Sequence, residues 1–202
     1  MTFSIVAYCP KTSTLGVAVA TASIAVGNRV PHVKANIGAI ATQAKTNIEY
    51  GIKGLKLLEL GFSPKTVLES LLKEDSRREE RQVIIVDAHG RTAAFTGRKT
   101  IEWKGHYVGE NYAVAGNMLI GREVIKAMTK AFEESENEEL AERLLKALEA
   151  GQEAGGDKRG KTSSALKVYG QNGKFIDLRV DFHENPVEEL RRIFKAYVKW
   201  FK

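Results

Sequence analysis

Two segments near the start of the chain carry small, apolar and β-branched residues on both of their faces. In the first, Phe3, Ile5 and Ala7 alternate with Ser4, Val6 and Tyr8 before Pro10-Lys11-Thr12-Ser13 breaks the run, and the second spans residues 15–22. A strand with one face in water alternates apolar with polar; these segments do not, so they read as strands covered on both sides. Residues 36–43 form a third segment of this kind. The expectation is a sheet with further layers stacked on each face, and residues 23–34, with Asn28, Arg29 and His32, form the loop between the second and third strands.

Helical periodicity takes over at residues 49–60 and stops at Gly61. Ser63-Pro64 then supplies an N-cap and a first-turn proline for a second helix through residue 72. Residues 82–87 and 92–96 flank His89-Gly90 as a hairpin, and weaker strands follow at 101–108 and 112–115. Two further helices, 122–133 and 138–149, place Val124, Ile125, Met128 and Phe132, then Leu140, Leu144, Leu145 and Leu148, at core-facing spacings. Strands 162–169 and 175–182 flank Asn172-Gly173, a dipeptide that favours two-residue hairpins, and an amphipathic helix starts at Pro186. Hairpin-joined strands with paired helices between them predict an α+β fold. The expected arrangement is a four-layer αββα sandwich of antiparallel sheets, with residues 1–202 as one domain.

Several function classes lose support on composition. The net charge is +6, but 31 basic residues are interleaved with 25 acidic ones, which describes a solvated surface and not a nucleic-acid-binding stripe. The run Lys73-Glu74-Asp75-Ser76-Arg77-Arg78-Glu79-Glu80-Arg81 has the charge density of thermophile proteins. Cys9 is the one cysteine, so neither an internal disulfide nor a thiolate cluster is expected, and His32, His89 and His106 lack metal-ligand spacing. No metal and no cofactor is expected. The start of the chain reads as a strand instead of a secretory leader, and no apolar run is long enough for a bilayer, so the expectation is a cytoplasmic protein with no membrane partner. A homo-oligomer is the default expectation.

Residues 155–162, Gly-Gly-Asp-Lys-Arg-Gly-Lys-Thr, satisfy the literal pattern of a nucleotide-binding loop. Such a loop works by leading from a strand into a helix, whose N-terminal N–H groups hold the phosphate. Here the expected order is helix, loop, strand, which argues against nucleotide hydrolysis but leaves Asp157 and Lys161 as candidate ligand contacts. In the last expected strand Asp177, Arg179, Asp181 and His183 fall on one face, either as cross-strand ion pairs or as a ladder that orients a base.

The most informative chemistry is at the start. Removal of Met1 before a small residue would leave Thr2 with a free α-amine beside its own hydroxyl, so that one residue supplies both nucleophile and base. The alternative is a β-branched residue that simply opens a strand.

Taken together, these residues resemble an uncharacterised bacterial and archaeal family, domain-of-unknown-function family 1028, of the Ntn-hydrolase-like superfamily. The resemblance runs nearly end to end, on segments such as Thr2-Phe3-Ser4-Ile5-Val6-Ala7, Gly38-Ala39-Ile40-Ala41-Thr42-Gln43-Ala44, Gly116-Asn117-Met118-Leu119 and Gly155-Gly156-Asp157-Lys158-Arg159-Gly160-Lys161. A looser resemblance links the first three strands to threonine-nucleophile amidohydrolases. It implies Thr2 as nucleophile, Thr21 or Ser23 in the turn after the second strand, Arg29 on a substrate carboxylate, and Thr42 or Gln43 at the oxyanion position. Val30-Pro31 departs from the Gly-Asp that follows the arginine in those enzymes, and either Lys34 or Lys45 could answer to the proteasome's catalytic lysine. The resulting expectation is an amide hydrolase acting on a small-molecule or peptide-like substrate. Thr2, Gln43 and Asn117 would do the chemistry, and Thr21, Ser23, Arg29, Thr42, Asp157, Lys161 and Asp181 would bind. A ligand-binding or scaffold protein that keeps this fold without the chemistry is the competing expectation.

Overall fold

A computed structural model describes every residue except Met1, Asn172, Lys174 and Lys202. Its described residues form two antiparallel sheets and five α-helices. In chain order the elements begin β1 (Thr2–Cys9), β2 (Thr14–Thr21), β3 (Pro31–Lys34), β4 (Gly38–Ala44), α1 (Ile48–Glu59), α2 (Pro64–Glu74), β5 (Arg81–Asp87) and β6 (Thr92–Thr96). They continue with β7 (Gly105–Gly109), β8 (Tyr112–Asn117), α3 (Glu123–Glu134), α4 (Leu140–Glu153), β9 (Ser163–Tyr169), β10 (Phe175–Val180) and α5 (Pro186–Trp200). One sheet has six strands in the order β10-β9-β2-β1-β8-β7, the other four in the order β3-β4-β5-β6.

The two-sided strands explain how the sheets are covered. On β1, Phe3, Ile5 and Ala7 pack with Met128, Leu144 and Leu148 of α3 and α4, while Val6 joins Val17, Val19, Ala41, Ile84 and Ala113 in a second cluster drawn from both sheets. On β4 and β5, Ile40, Val83 and Ile85 pack with Leu58, Val67 and Leu71 of α1 and α2. Side-chain alternation along each strand therefore feeds one cluster of helices and the shared cluster in turn. Each fully buried Ile or Leu contributes roughly 1.5–3 kcal/mol relative to exposure. Small residues let α4 come close to β2, since a Cβ at Gly16 would lie 2.6 Å from Leu144 Cδ1.

Local signals held where the chemistry was strong. Ser63 Oγ accepts from Thr66 N and Pro64 opens α2, and Gly90 turns the β5–β6 hairpin at φ 77. Three segments differ from the sequence-based expectation. Residues 31–34 form β3 inside the expected loop: four residues opened by a proline are a weak strand signal, yet a sheet edge tolerates a proline at the first position. The strand expected at 101–108 forms only from Gly105, because residues 97–104 turn instead. There Thr100 Oγ1 donates to Gly97 O, and Lys104 Nζ donates to the carbonyls of Arg98 and Thr100. The last strand stops at Val180, so Asp181 and His183 fall beyond it. Part of the Asn172-Gly173 turn lies outside the described residues. Among those residues no helix is long and apolar enough to cross a membrane.

Candidate active site

β1 begins with Thr2, which pairs in register with Asn117 at the end of β8. Its hydroxyl donates to Thr21 Oγ1, the last residue of β2, at 3.3 Å. Strand pairing thus brings together three residues that are 19 and 96 positions from one another. Thr2, Thr21 and Asn117 are all buried.

Beneath them lies a network of side-chain amides joining the two sheets. Gln43 Nε2 donates to Gln82 Oε1 at 2.8 Å and to the Thr2 carbonyl at 3.5 Å, and Gln43 Oε1 accepts from Ser4 Oγ at 2.7 Å. Asn117 Nδ2 donates to the same Gln82 Oε1 at 2.8 Å. The Gln82 amide nitrogen is shared among Gly116 O, Thr96 Oγ1 and Gly105 O, at 2.8, 2.9 and 3.0 Å. Gln43 and Gln82 are fully buried, where an amide without partners would be costly. Both N–H groups of Gln43 are used, whereas Asn117 Nδ2 has a second N–H beyond its bond to Gln82.

The glycine-rich segment 155–162 runs from the end of α4 into β9. Gly155, Gly156 and Gly160 take positive φ, which lets the chain turn tightly enough to set buried Asp157 against β8 and the end of β2. Asp157 Oδ2 accepts from Ala22 N at 3.1 Å, and both carboxylate oxygens hold the Arg159 guanidinium, at 2.9 and 3.3 Å. Lys158 N donates to Met118 O. The segment is therefore a clamp between Thr21-Ala22 and Asn117-Met118.

A cleft of about 510 Å³ opens beside this group, lined among others by Ala44, Lys45, Ile101, Asn117, Met118 and Arg159. The backbone at Lys45 is tied down from below: Arg81 Nη1 donates to Lys45 O and Arg81 Nε to Asp75 Oδ2, which also accepts from Tyr50. Burial pushes the Asp75 carboxyl up, but the hydrogen bonds from Arg81, Arg77 and Tyr50 outweigh it and hold the pKa at about 2. Two clefts of about 350 Å³ open at Cys9, the other end of β1, and neither is lined by any of the Thr2 group.

The other expected site residues lie elsewhere. Thr42 is buried and its hydroxyl donates to Asn47 O, a tie between β4 and the start of α1. Ser23 O accepts from Ser163 Oγ, and Arg29 Nη2 donates to Ile24 O. The Asp181 carboxylate pairs with Arg179 at 2.6 Å, and its carbonyl accepts from Ala25 N. Ser23 and Arg29 thus belong to the loop after β2, Asp181 contacts that loop from just beyond β10, and none of them lines the cleft at Asn117, nor does exposed Lys161. Of the last-strand polar face, Asp177 makes a cross-strand pair with Lys167 at 3.0 Å. Lys34 pairs with Glu59 away from the cleft, and Lys45 with Glu80 at it. Sequence reasoning missed Ser4 and Gln82; the available signal was a glutamine and a serine inside strands otherwise apolar on both faces.

A family model described as a family of unknown function, DUF1028, matches residues 2–190. Among solved structures the chain is similar to protein SPO2555 from Silicibacter pomeroyi, which carries the same family model. The two share 35% identity and a TM-score of 0.91 over 96% of this chain and 85% of that one. It also shows a similarity to Anbu, an ancestral beta-subunit from Yersinia bercovieri, at 10% identity and a TM-score of 0.44, over 98% of this chain and 96% of that one. No curated protein matches.

Proposed function

This chain belongs to the DUF1028 family, and we propose that it is an Ntn-type hydrolase of a small amide or peptide-like substrate, with Thr2 as nucleophile after removal of Met1. The three hydrophobic clusters support a four-layer order of helices, sheet, sheet and helices within one domain, which is the layering of the Ntn-hydrolase-like fold. The observation that carries the activity is the convergence of Thr2, Thr21 and the Asp157 clamp on Asn117, the strand partner of Thr2, which with Arg159 lines the cleft.

In this mechanism the Thr2 α-amine takes the proton from its own hydroxyl as Oγ1 attacks the substrate carbonyl carbon. The tetrahedral oxyanion collapses, the C–N bond breaks, and the ammonium returns its proton to the leaving nitrogen. Water then attacks the ester, the amine now removing a proton from water, and Thr2 Oγ1 leaves with a proton. The second Asn117 N–H is the side-chain donor for the oxyanion; removing such a donor costs about 10²–10³-fold in kcat in comparable sites. Gln43 has both N–H groups engaged, so its role is to hold the Thr2 carbonyl and not to bind the oxyanion.

The competing reading is a binding or scaffold protein. It is favoured by the Thr2 side chain itself, which is buried to 5% exposure with its hydroxyl already bonded. A screen of amide substrates with wild type and Thr2→Ala separates the two: turnover lost in Thr2→Ala supports the hydrolase, and ligand binding without turnover in either protein supports the scaffold.

A further inference from the structure

The cleft that Asn117 lines has an uneven charge. Lys45, Lys99 and Arg159 line it, and Glu80 is the one carboxylate among its lining residues. Arg159 is held by Asp157. Glu80 lies 2.8 Å from Arg77 but 3.6 Å from Lys45, so its charge is already shared. Lys99 is exposed, and its side chain makes no ion pair or hydrogen bond among the described residues. Both lysines are nevertheless fixed at the backbone: Lys45 N donates to Glu80 O and Lys99 N to Glu79 O. A surplus of positive charge on anchored backbone, at the rim of a concave site, attracts an anion more strongly than the same lysines on a convex surface. Ile101, 53% exposed, adds an apolar wall to the same cleft.

We infer that this cleft selects amides bearing an anionic group, a carboxylate or a phosphate, which Lys45 and Lys99 bind while Asn117 faces the scissile carbonyl. The inference rests on the hydrolase reading for its chemistry, but the anion site stands or falls on the lysines. Arg29, which the resemblance to threonine-nucleophile amidohydrolases implies as the carboxylate contact, lines no part of this cleft.

Three β-lactone probes sharing one reactive ring and differing in a carboxylate, a phosphonate or a neutral methyl ester test the selection. Rates of Thr2 adduct formation are read by intact mass on wild type and on Lys45→Ala/Lys99→Ala. An anionic probe reacts about tenfold faster than the ester on wild type, a factor equivalent to about 1.4 kcal/mol. The ratio falls toward one in the double variant and with rising ionic strength. Whichever anionic probe shows the larger ratio names the group. Equal rates for all three probes on wild type, or a ratio that survives in the double variant, overturns the inference. If no probe labels Thr2, the hydrolase reading fails, and calorimetry with N-acetylglutamate and with phenyl phosphate decides the anion site alone. Binding of either to wild type that disappears in the double variant sustains it. No binding of either, or equal binding to both proteins, overturns it.

Discussion

The Asn117 side-chain amide donates to Gln82 Oε1 at 2.8 Å, across the space between the two sheets. Gln82 accepts from Gln43 at the same oxygen, so one buried amide fixes both side chains that flank Thr2. Gln82→Leu keeps the volume but strands donors on Gln43 and Asn117 and the carbonyls of Gly105 and Gly116. Each buried polar group left without a partner costs about 1–3 kcal/mol, and relaxation absorbs part of the sum, so the expected loss is about 3–5 kcal/mol. Denaturant titration reads it directly, and a loss below about 1 kcal/mol would show that the network does not hold the sheets together.

Asp157 connects the glycine-rich segment to Thr2 through Ala22, the residue after Thr21. Asp157→Ala removes the acceptor of Ala22 N and the partner of Arg159 together. Thr2 labelling by an electrophile should slow by about tenfold or more, the effect of displacing a positioned group. Asp157→Asn, which still accepts from Ala22 but cannot pair as an ion with Arg159, should recover part of the rate. Unchanged labelling of a folded Asp157→Ala protein would remove the clamp from the account.

The Asp75 pair with Arg81 predicts a pH dependence of stability. Its carboxyl is lowered from 3.8 to about 2 in the folded chain. A lowered pKa gives stability that is present above about pH 4 and is lost as pH falls toward 2. The shift corresponds to about 2 kcal/mol. The stability difference between wild type and Asp75→Asn should therefore be largest near neutral pH and shrink across that acidic window. A difference independent of pH from neutral down to 2 would assign the pair no such coupling. Because Arg81 also donates to Lys45 O, Asp75→Asn should loosen the cleft wall as well.

The parts of the fold that were legible in the sequence are those whose signal is local. Residues 83–86, all apolar, and the alternation around Phe3, Ile5 and Ala7 announce covered strands without reference to anything distant. β3 was hidden because a proline and a length of four residues look like loop until a neighbouring strand pairs with them. Among the candidate site residues, Thr2, Asn117 and Asp157 are legible in the sequence only one by one. Their convergence depends on which strands pair, and no local pattern encodes that β8 lies beside β1. Arg29 was assigned to the substrate by analogy with a loop, but the loop after β2 carries it to Ile24 and away from the cleft lining. Gln82 was passed over because a single glutamine beside Arg81 reads as the polar end of a strand, when it is buried between two sheets.

Whether Thr2 is activated is read from the intact mass of untagged protein before and after a threonine-directed electrophile, with Thr2→Ala alongside. If Thr2 is the activated nucleophile, wild type lacks Met1 and gains one adduct, and Thr2→Ala gains none. Retention of Met1 in wild type, or an adduct equally present in Thr2→Ala, would contradict it.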